Sequence, residues 1–208
     1  PEDYTNRGSI VTPLKDRIGS QILTHYPKSI EVAQQITEQE AQIPIEQKQK
    51  INCPQIVKDL IEQIAFEARQ SEYVDQKSGV SARLTISAYE NLVSTAELRA
   101  LASGDLQTMV RIADFIGVVP SITGKIELVY EGEQEGPLNV AHRLLGQAIR
   151  SLFIQYFPDP QSFKKGRDIQ KVKSKTNPYQ PIIDWFGNGN DVLLIQNENT
   201  ETHYSKLY

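Results

Sequence analysis

Cysteine is almost absent: Cys53 is the only one among 208 residues. A lone thiol excludes a disulfide within the chain and any zinc cluster built on cysteines. It fits a reducing compartment, so a cytoplasmic location is expected. Histidine is nearly as scarce, and His25, His142 and His203 lie too far apart to show metal-ligand spacing. Long hydrophobic runs are missing as well. A bilayer span needs about 20 apolar residues in a row, so no membrane crossing is expected. No charged–apolar–small leader opens the chain. A strong excess of one charge is lacking: the net charge of -4 gives no general attraction to nucleic acid or anionic membrane. No nucleophile elbow and no EF-hand spacing occur. Hydrophobic residues make up 39%, enough for a core beneath a very polar surface.

What the chain does have is helical periodicity. Ser29 can cap a helix to about Ala41, with Ile30, Ala33 and Ile36 three apart. Residues 42–53 read as a polar connector containing Pro44. Pro54 stands at a typical first helical position. Ile56, Val57, Leu60, Ile61, Ile64, Ala65 and Ala68 then mark an amphipathic helix to about Ser71. Ser78-Gly79 breaks the chain, and a second helix runs from Arg83 or Ser87 to Ala102, closed by Ser103-Gly104. Asp105 begins a third predicted helix through Met109, Val110, Ile112, Ala113 and Ile116, stopped by Gly117 and Pro120. Residues 124–130 alternate like a strand, followed by an acidic turn over 131–136. A fourth helix is predicted over Leu138–Phe157 and ends before Pro158 and Pro160. Residues 159–175 carry six Lys/Arg against Asp159 and Asp168 and read as an exposed basic linker. Tyr179, Ile182, Ile183, Trp185 and Phe186 give the small C-terminal element a way to dock.

Two short stretches carry candidate chemistry. Thr12-Pro13-Leu14-Lys15-Asp16-Arg17 is a turn leading into a helix start, before a short predicted strand over Ser20–Tyr26. Gly79-Val80-Ser81-Ala82-Arg83 is a glycine turn that delivers an arginine at the mouth of a helix. A guanidinium there can hold a phosphate in a two-pronged grip that an ammonium cannot make. Read singly, an arginine in either place is more commonly an ordinary solvated surface residue.

In order, these stretches resemble AAA+ ATPases of the magnesium-chelatase and MoxR kind. That pattern runs from Pro1-Glu2 through Gly8, Pro13-Leu14, Asp16-Arg17 and Gln21–Tyr26 to Gly79–Arg83, and covers about residues 1–120. The resemblance implies that Arg17 is a trans-acting arginine finger and that Arg83 is the sensor-2 arginine on the ATP phosphates. It implies ATP and Mg²⁺ as cofactors of a longer parent that self-associates into a ring. The motif G-x-x-x-x-G-K-[ST] is nowhere in the chain, so no bound cofactor and no ATPase activity are expected of these residues alone. The turn-rich opening Pro1–Gly8 reads as the interior of a longer protein.

The expected fold is mainly α, a helical AAA+ lid bundle with a small remnant of the α/β core and a minor β element. Its expected division is core end 1–27, lid and extension 28–158, basic linker 159–177 and C-terminal element 178–208. The expected role is to couple ATP hydrolysis to remodelling of a protein partner or to metal insertion. The alternatives are a non-catalytic helical interaction domain and the AAA+ module of a transcriptional regulator. No metal site, membrane contact or nucleic-acid partner is expected.

Overall fold

A computed structural model describes residues 16–20, 22, 25–163 and 177–189. The predicted features at 1–15, most of the basic linker and the end of the tail lie outside these residues. The fold is mainly helical, and no described helix is long and apolar enough to cross a membrane.

The first helix, α1, spans Ile30–Glu40. Ser29 starts it as expected, its hydroxyl accepting the Val32 N–H at 3.4 Å. Residues 42–53 are more structured than a connector. Pro44 leads into α2 (Ile45–Lys50), and β1 (Ile51–Asn52) follows directly. Glu46 in the first turn of α2 and Lys48 and Lys50 in its last turn both complement the helix dipole. The amphipathic helix is α3, Gln55–Gln70, and α4 runs from Arg83 to Ser103 with Gly104 as its left-handed cap.

The third predicted helix does not form as read. Thr108–Met109 is a strand, β2, paired in parallel with β1 in the register Ile51↔Thr108 and Asn52↔Met109. A 3₁₀ helix over Ile112–Val118 follows, and then α5 over Val119–Thr123. The cause is Arg99 on α4, whose guanidinium hydrogen-bonds Thr108 Oγ1, the Met109 carbonyl and the Asp114 carboxylate. These bonds hold the segment extended where apolar spacing alone favours a helix. Pro120 starts α5 instead of ending an earlier helix, since its missing N–H costs nothing in a first turn.

The predicted strand at 124–130 reduces to one antiparallel bridge, Val74↔Leu128. The acidic turn is a short helix, α6 (Tyr130–Glu135). Its buried Gly132 is required there: a Cβ would lie 2.4 Å from the Tyr73 carbonyl oxygen, so only glycine lets the helix approach that backbone. The last long helix, α7, spans Pro137–Tyr156. A short 3₁₀ turn over Pro160–Phe163 comes next, and α8 covers Gln180–Gly187. The described positions of the predicted strand at 20–26 (Ser20, Ile22, His25 and Tyr26) are irregular.

The core lies between α3, α4 and α7. Ile61, Ile64, Leu84, Leu92, Val140 and Leu144 are its fully buried large residues, and α1, α5 and the 3₁₀ helix close it. Ala65, Ala68, Ala88, Ala96, Ala141 and Ala148 are wholly buried between them. Side chains this small let the helix axes approach closely and leave the large residues to fill the remaining space.

Candidate functional site at the mouth of helix α4

The mouth of α4 is built by the turn before it. Asp75 organises that turn: its carboxylate accepts the Lys77 N–H at 2.9 Å and the Ser78 hydroxyl at 2.9 Å, and its carbonyl accepts the Gly79 N–H at 3.1 Å. These bonds hold its carboxyl below the usual range. Gly79 then takes φ 72, a left-handed conformation that a side chain would strain. The Val80 N–H donates to the Tyr26 hydroxyl at 2.9 Å, and the Arg83 N–H donates to Ser81 Oγ at 3.2 Å. The second bond satisfies one of the amide donors that every helix start leaves open, and the first ties the turn to Tyr26.

Arg83 is the first residue of α4 and is exposed. Its guanidinium has no hydrogen bond or ion pair among the described residues. Arg17 lies in an exposed turn with Asp16. No hydrogen bond, ion pair or ring contact among the described residues joins it to the α4 mouth.

Beneath the mouth is a polar cluster that was not anticipated. Glu62 on α3 is only 2% exposed. Thr37 Oγ1 of α1 donates to its carboxylate at 2.6 Å. Thr85 Oγ1 of α4 lies 2.9 Å from Thr37 Oγ1 and 3.1 Å from the Ala82 carbonyl. Two turns further along α3, the Arg69 guanidinium stacks over the Tyr26 ring at 4.3 Å and the Phe66 ring at 5.4 Å. Its Nε and Nη1 are buried without a hydrogen-bond partner among the described residues. Burial lowers the Arg69 pKa, while nearby Tyr26 and Glu62 act in the opposite direction.

Burial pushes the Glu62 carboxyl up to about 6; hydrogen bonds from Thr37 and Thr85 and the charge of Arg69 pull the other way. Thr37 donates to the Glu62 carboxylate, Thr85 donates to the Ala82 carbonyl, and the two hydroxyls lie within hydrogen-bond distance of each other. These contacts connect Glu62 in the core to the first turn of α4.

This cluster sets a pH dependence. A carboxyl raised to about 6 favours its protonated form in the folded state. Its contribution to stability is therefore full below the unfolded value of about 4.3 and is lost as pH rises through about 6. Between pH 4.5 and 7.5 the loss amounts to about 2 kcal/mol. Glu62→Gln keeps an acceptor for Thr37 and does not titrate. Urea unfolding of both proteins across this range is expected to show the variant gaining about 2 kcal/mol on the parent chain by pH 7.5. Parallel pH profiles would show that Glu62 stays ionised in the fold.

Cys53 is half-buried, and burial raises its thiol to about 11, which removes it as a nucleophile at neutral pH. No group of three or more His, Cys, Asp or Glu among the described residues is arranged to hold a metal ion. No protein family, curated protein or solved structure matches the chain. The class defined by the fold is therefore a mainly α-helical protein with a small parallel two-stranded sheet.

Proposed function

We propose that this chain is the lid and C-terminal part of a cytosolic AAA+ ATPase similar to the magnesium-chelatase and MoxR proteins. In such a parent, ATP hydrolysis remodels a protein partner or drives metal insertion. The observation that supports this reading is Arg83, exposed at the first residue of the longest described helix, four residues after the left-handed Gly79. An arginine so placed adds a charge-assisted, two-pronged contact to the positive end of a helix dipole, the combination that suits a phosphate. ATP and Mg²⁺ would be held chiefly outside these 208 residues, which lack a phosphate-binding loop. The bound nucleotide would supply the phosphoanhydride that is cleaved. The role of this chain would be to report its γ-phosphate through Arg83 and to move the lid that α4 anchors.

The test is Arg83→Ala in the full-length protein. Hydrogen bonds to a charged group contribute about 1.5–3 kcal/mol, so ATP turnover is expected to fall about 10- to 100-fold. Arg83→Lys should recover little, because an ammonium cannot reproduce the fork. Unchanged turnover in both variants would remove Arg83 from the site. A helical interaction module is the second reading, and an apolar groove between α3 and α7 favours it.

A further inference from the structure

A polar pocket of about 350 Å³ lies apart from Arg83, which does not line it. Its size falls at the lower end of the range for small-molecule sites. Separate stretches of chain converge on it. Lys48 and Lys50 come from the last turn of α2, and Asn52 comes from β1. Lys58 is supplied by α3 and Tyr89 by α4. Gln107 directly precedes β2. Strand pairing brings two of these together: the parallel register Ile51↔Thr108 carries back one step to Lys50 beside Gln107.

The charge of the pocket is one-sided. Lys48, Lys50 and Lys58 line it, and no aspartate or glutamate does. Lys58 is already neutralised, with Nζ 2.6 Å from Glu38 Oε1. Glu90 and Glu97 of α4 are engaged elsewhere, by the Gln42 N–H at 2.7 Å and by the Gln47 side chain. Lys48 and Lys50 have no hydrogen bond or ion pair among the described residues. The carbonyl end of α2 contributes about half of one negative charge, which offsets only part of two ammonium groups. Neutral donors are unspent as well. The side chains of Asn52, Gln107 and Tyr89 have no hydrogen-bond partner among the described residues. Tyr89 is half-buried, and burial raises its pKa, so its hydroxyl stays protonated and able to donate.

We propose that this pocket binds a small phosphorylated solute, Lys48 and Lys50 neutralising the phosphate while Asn52, Gln107 and Tyr89 donate to its oxygens. Most small-molecule sites are largely apolar, so a pocket lined mainly by polar side chains selects a charged ligand. The donor set favours phosphate over carboxylate. A carboxylate presents two oxygens in one plane and is best held by an arginine fork, and no arginine lines the pocket. Ammonium point charges and amides arriving from separate elements suit a tetrahedral group with oxygens on several sides. The volume leaves room for a short carbon body beyond the phosphate. This inference does not rest on the nucleotide reading.

The test is titration of the 208-residue chain with glycerol 3-phosphate, followed by calorimetry and by amide chemical shifts. Saturable binding is expected with a Kd of about 0.1–1 mM. The shifts should centre on residues 48–53 and 107–108. Inorganic phosphate should bind several-fold more weakly, because it leaves the rest of the pocket unfilled, and acetate more weakly still. Lys48→Gln with Lys50→Gln removes two charge-assisted contacts and should weaken glycerol 3-phosphate at least about 10-fold. Tyr89→Phe should weaken it roughly 3-fold. Both lysines are exposed, so the double variant should fold, which circular dichroism checks. Arg83→Ala should leave this binding unchanged, which separates the pocket from the mouth of α4. Absence of saturable binding by about 10 mM overturns the proposal. So does undiminished affinity in the double lysine variant, or a shift pattern centred on residues 79–83. Equal affinity for acetate overturns the choice of phosphate, and equal affinity for inorganic phosphate overturns the choice of an organic solute.

Discussion

Arg99→Ala should cost about 3–5 kcal/mol of folding stability, the range found when one partner of a buried ion pair is removed. The side chain of Arg99 is 13% exposed and that of Asp114 only 3%. Nε donates to Asp114 Oδ1 at 2.8 Å and Nη2 to Oδ2 at 2.8 Å, a two-pronged pair. Nη1 also donates to Thr108 Oγ1 at 3.0 Å, and Nη2 to the Met109 carbonyl at 2.8 Å. Removing the arginine leaves a buried carboxylate with the Arg111 N–H, 2.8 Å away, as its remaining described donor. It also frees β2, which the same guanidinium holds against α4. Domains have total stabilities of about 5–15 kcal/mol, so the variant is expected to be near the edge of folding. Its melting temperature should fall by roughly 10 °C. Arg99→Lys should recover under half of the loss, since one ammonium cannot serve both carboxylate oxygens and two further acceptors. Asp114→Ala made in the Arg99→Ala background should cost far less than in the parent, because the stranded charge is then gone. A loss under about 1 kcal/mol for Arg99→Ala would mean that the pair is well solvated and does not hold the segment.

The same residue explains where the sequence is hard to read. Met109, Val110, Ile112, Ala113 and Ile116 have helical spacing, yet Ile112 and Ile116 end up exposed. The segment is shaped by an arginine on α4, and nothing in local periodicity carries that information. β1 and β2 are two residues each and far apart in the chain, so neither shows an alternating pattern. The long helices were legible for the opposite reason. α3 and α7 repeat their apolar residues over several turns, and Ser29 and Gly104 mark helix ends through their own backbone preferences. Gly132, read as part of a turn, is a close-approach glycine within a helix, a distinction that depends on where Tyr73 lies.

The candidate site divides along the same line. An arginine at a helix mouth after a glycine turn is a local pattern, and Arg83 stands there. Glu62, Thr37, Thr85, Arg69 and Tyr26 come from four separate parts of the chain, and only packing brings them together. One signal for them was present. Glu62, Ala65 and Arg69 follow one another along a stripe of α3, so two charged residues border its apolar face. In a helix facing the core on that side, such charges must find buried partners or shift their titration. Glu62 does both.

On the proposed ATPase reading, the larger effect belongs to Arg17. Arg17→Ala in the full-length protein should lower ATP turnover by ~10³–10⁵, the range for an arginine finger that stabilises charge developing on the transferred phosphoryl group. Nucleotide binding should change much less, because such a finger acts mainly in the transition state. The exposed turn at Asp16–Arg17 suits a residue that reaches outward to a neighbouring subunit. Arg17→Lys should not rescue turnover, since a point charge does not reproduce the planar fork. Mixing separates a finger acting in trans from one acting within its own subunit. A ring that combines Arg17→Ala subunits with subunits disabled in the phosphate-binding loop contains some interfaces where an intact loop faces an intact finger. Turnover should therefore rise above that of either variant alone and peak near equal proportions. Unchanged activity in Arg17→Ala, or no rise on mixing while rings still form, would leave Arg17 as a solvated surface arginine and rest the nucleotide reading on Arg83 alone.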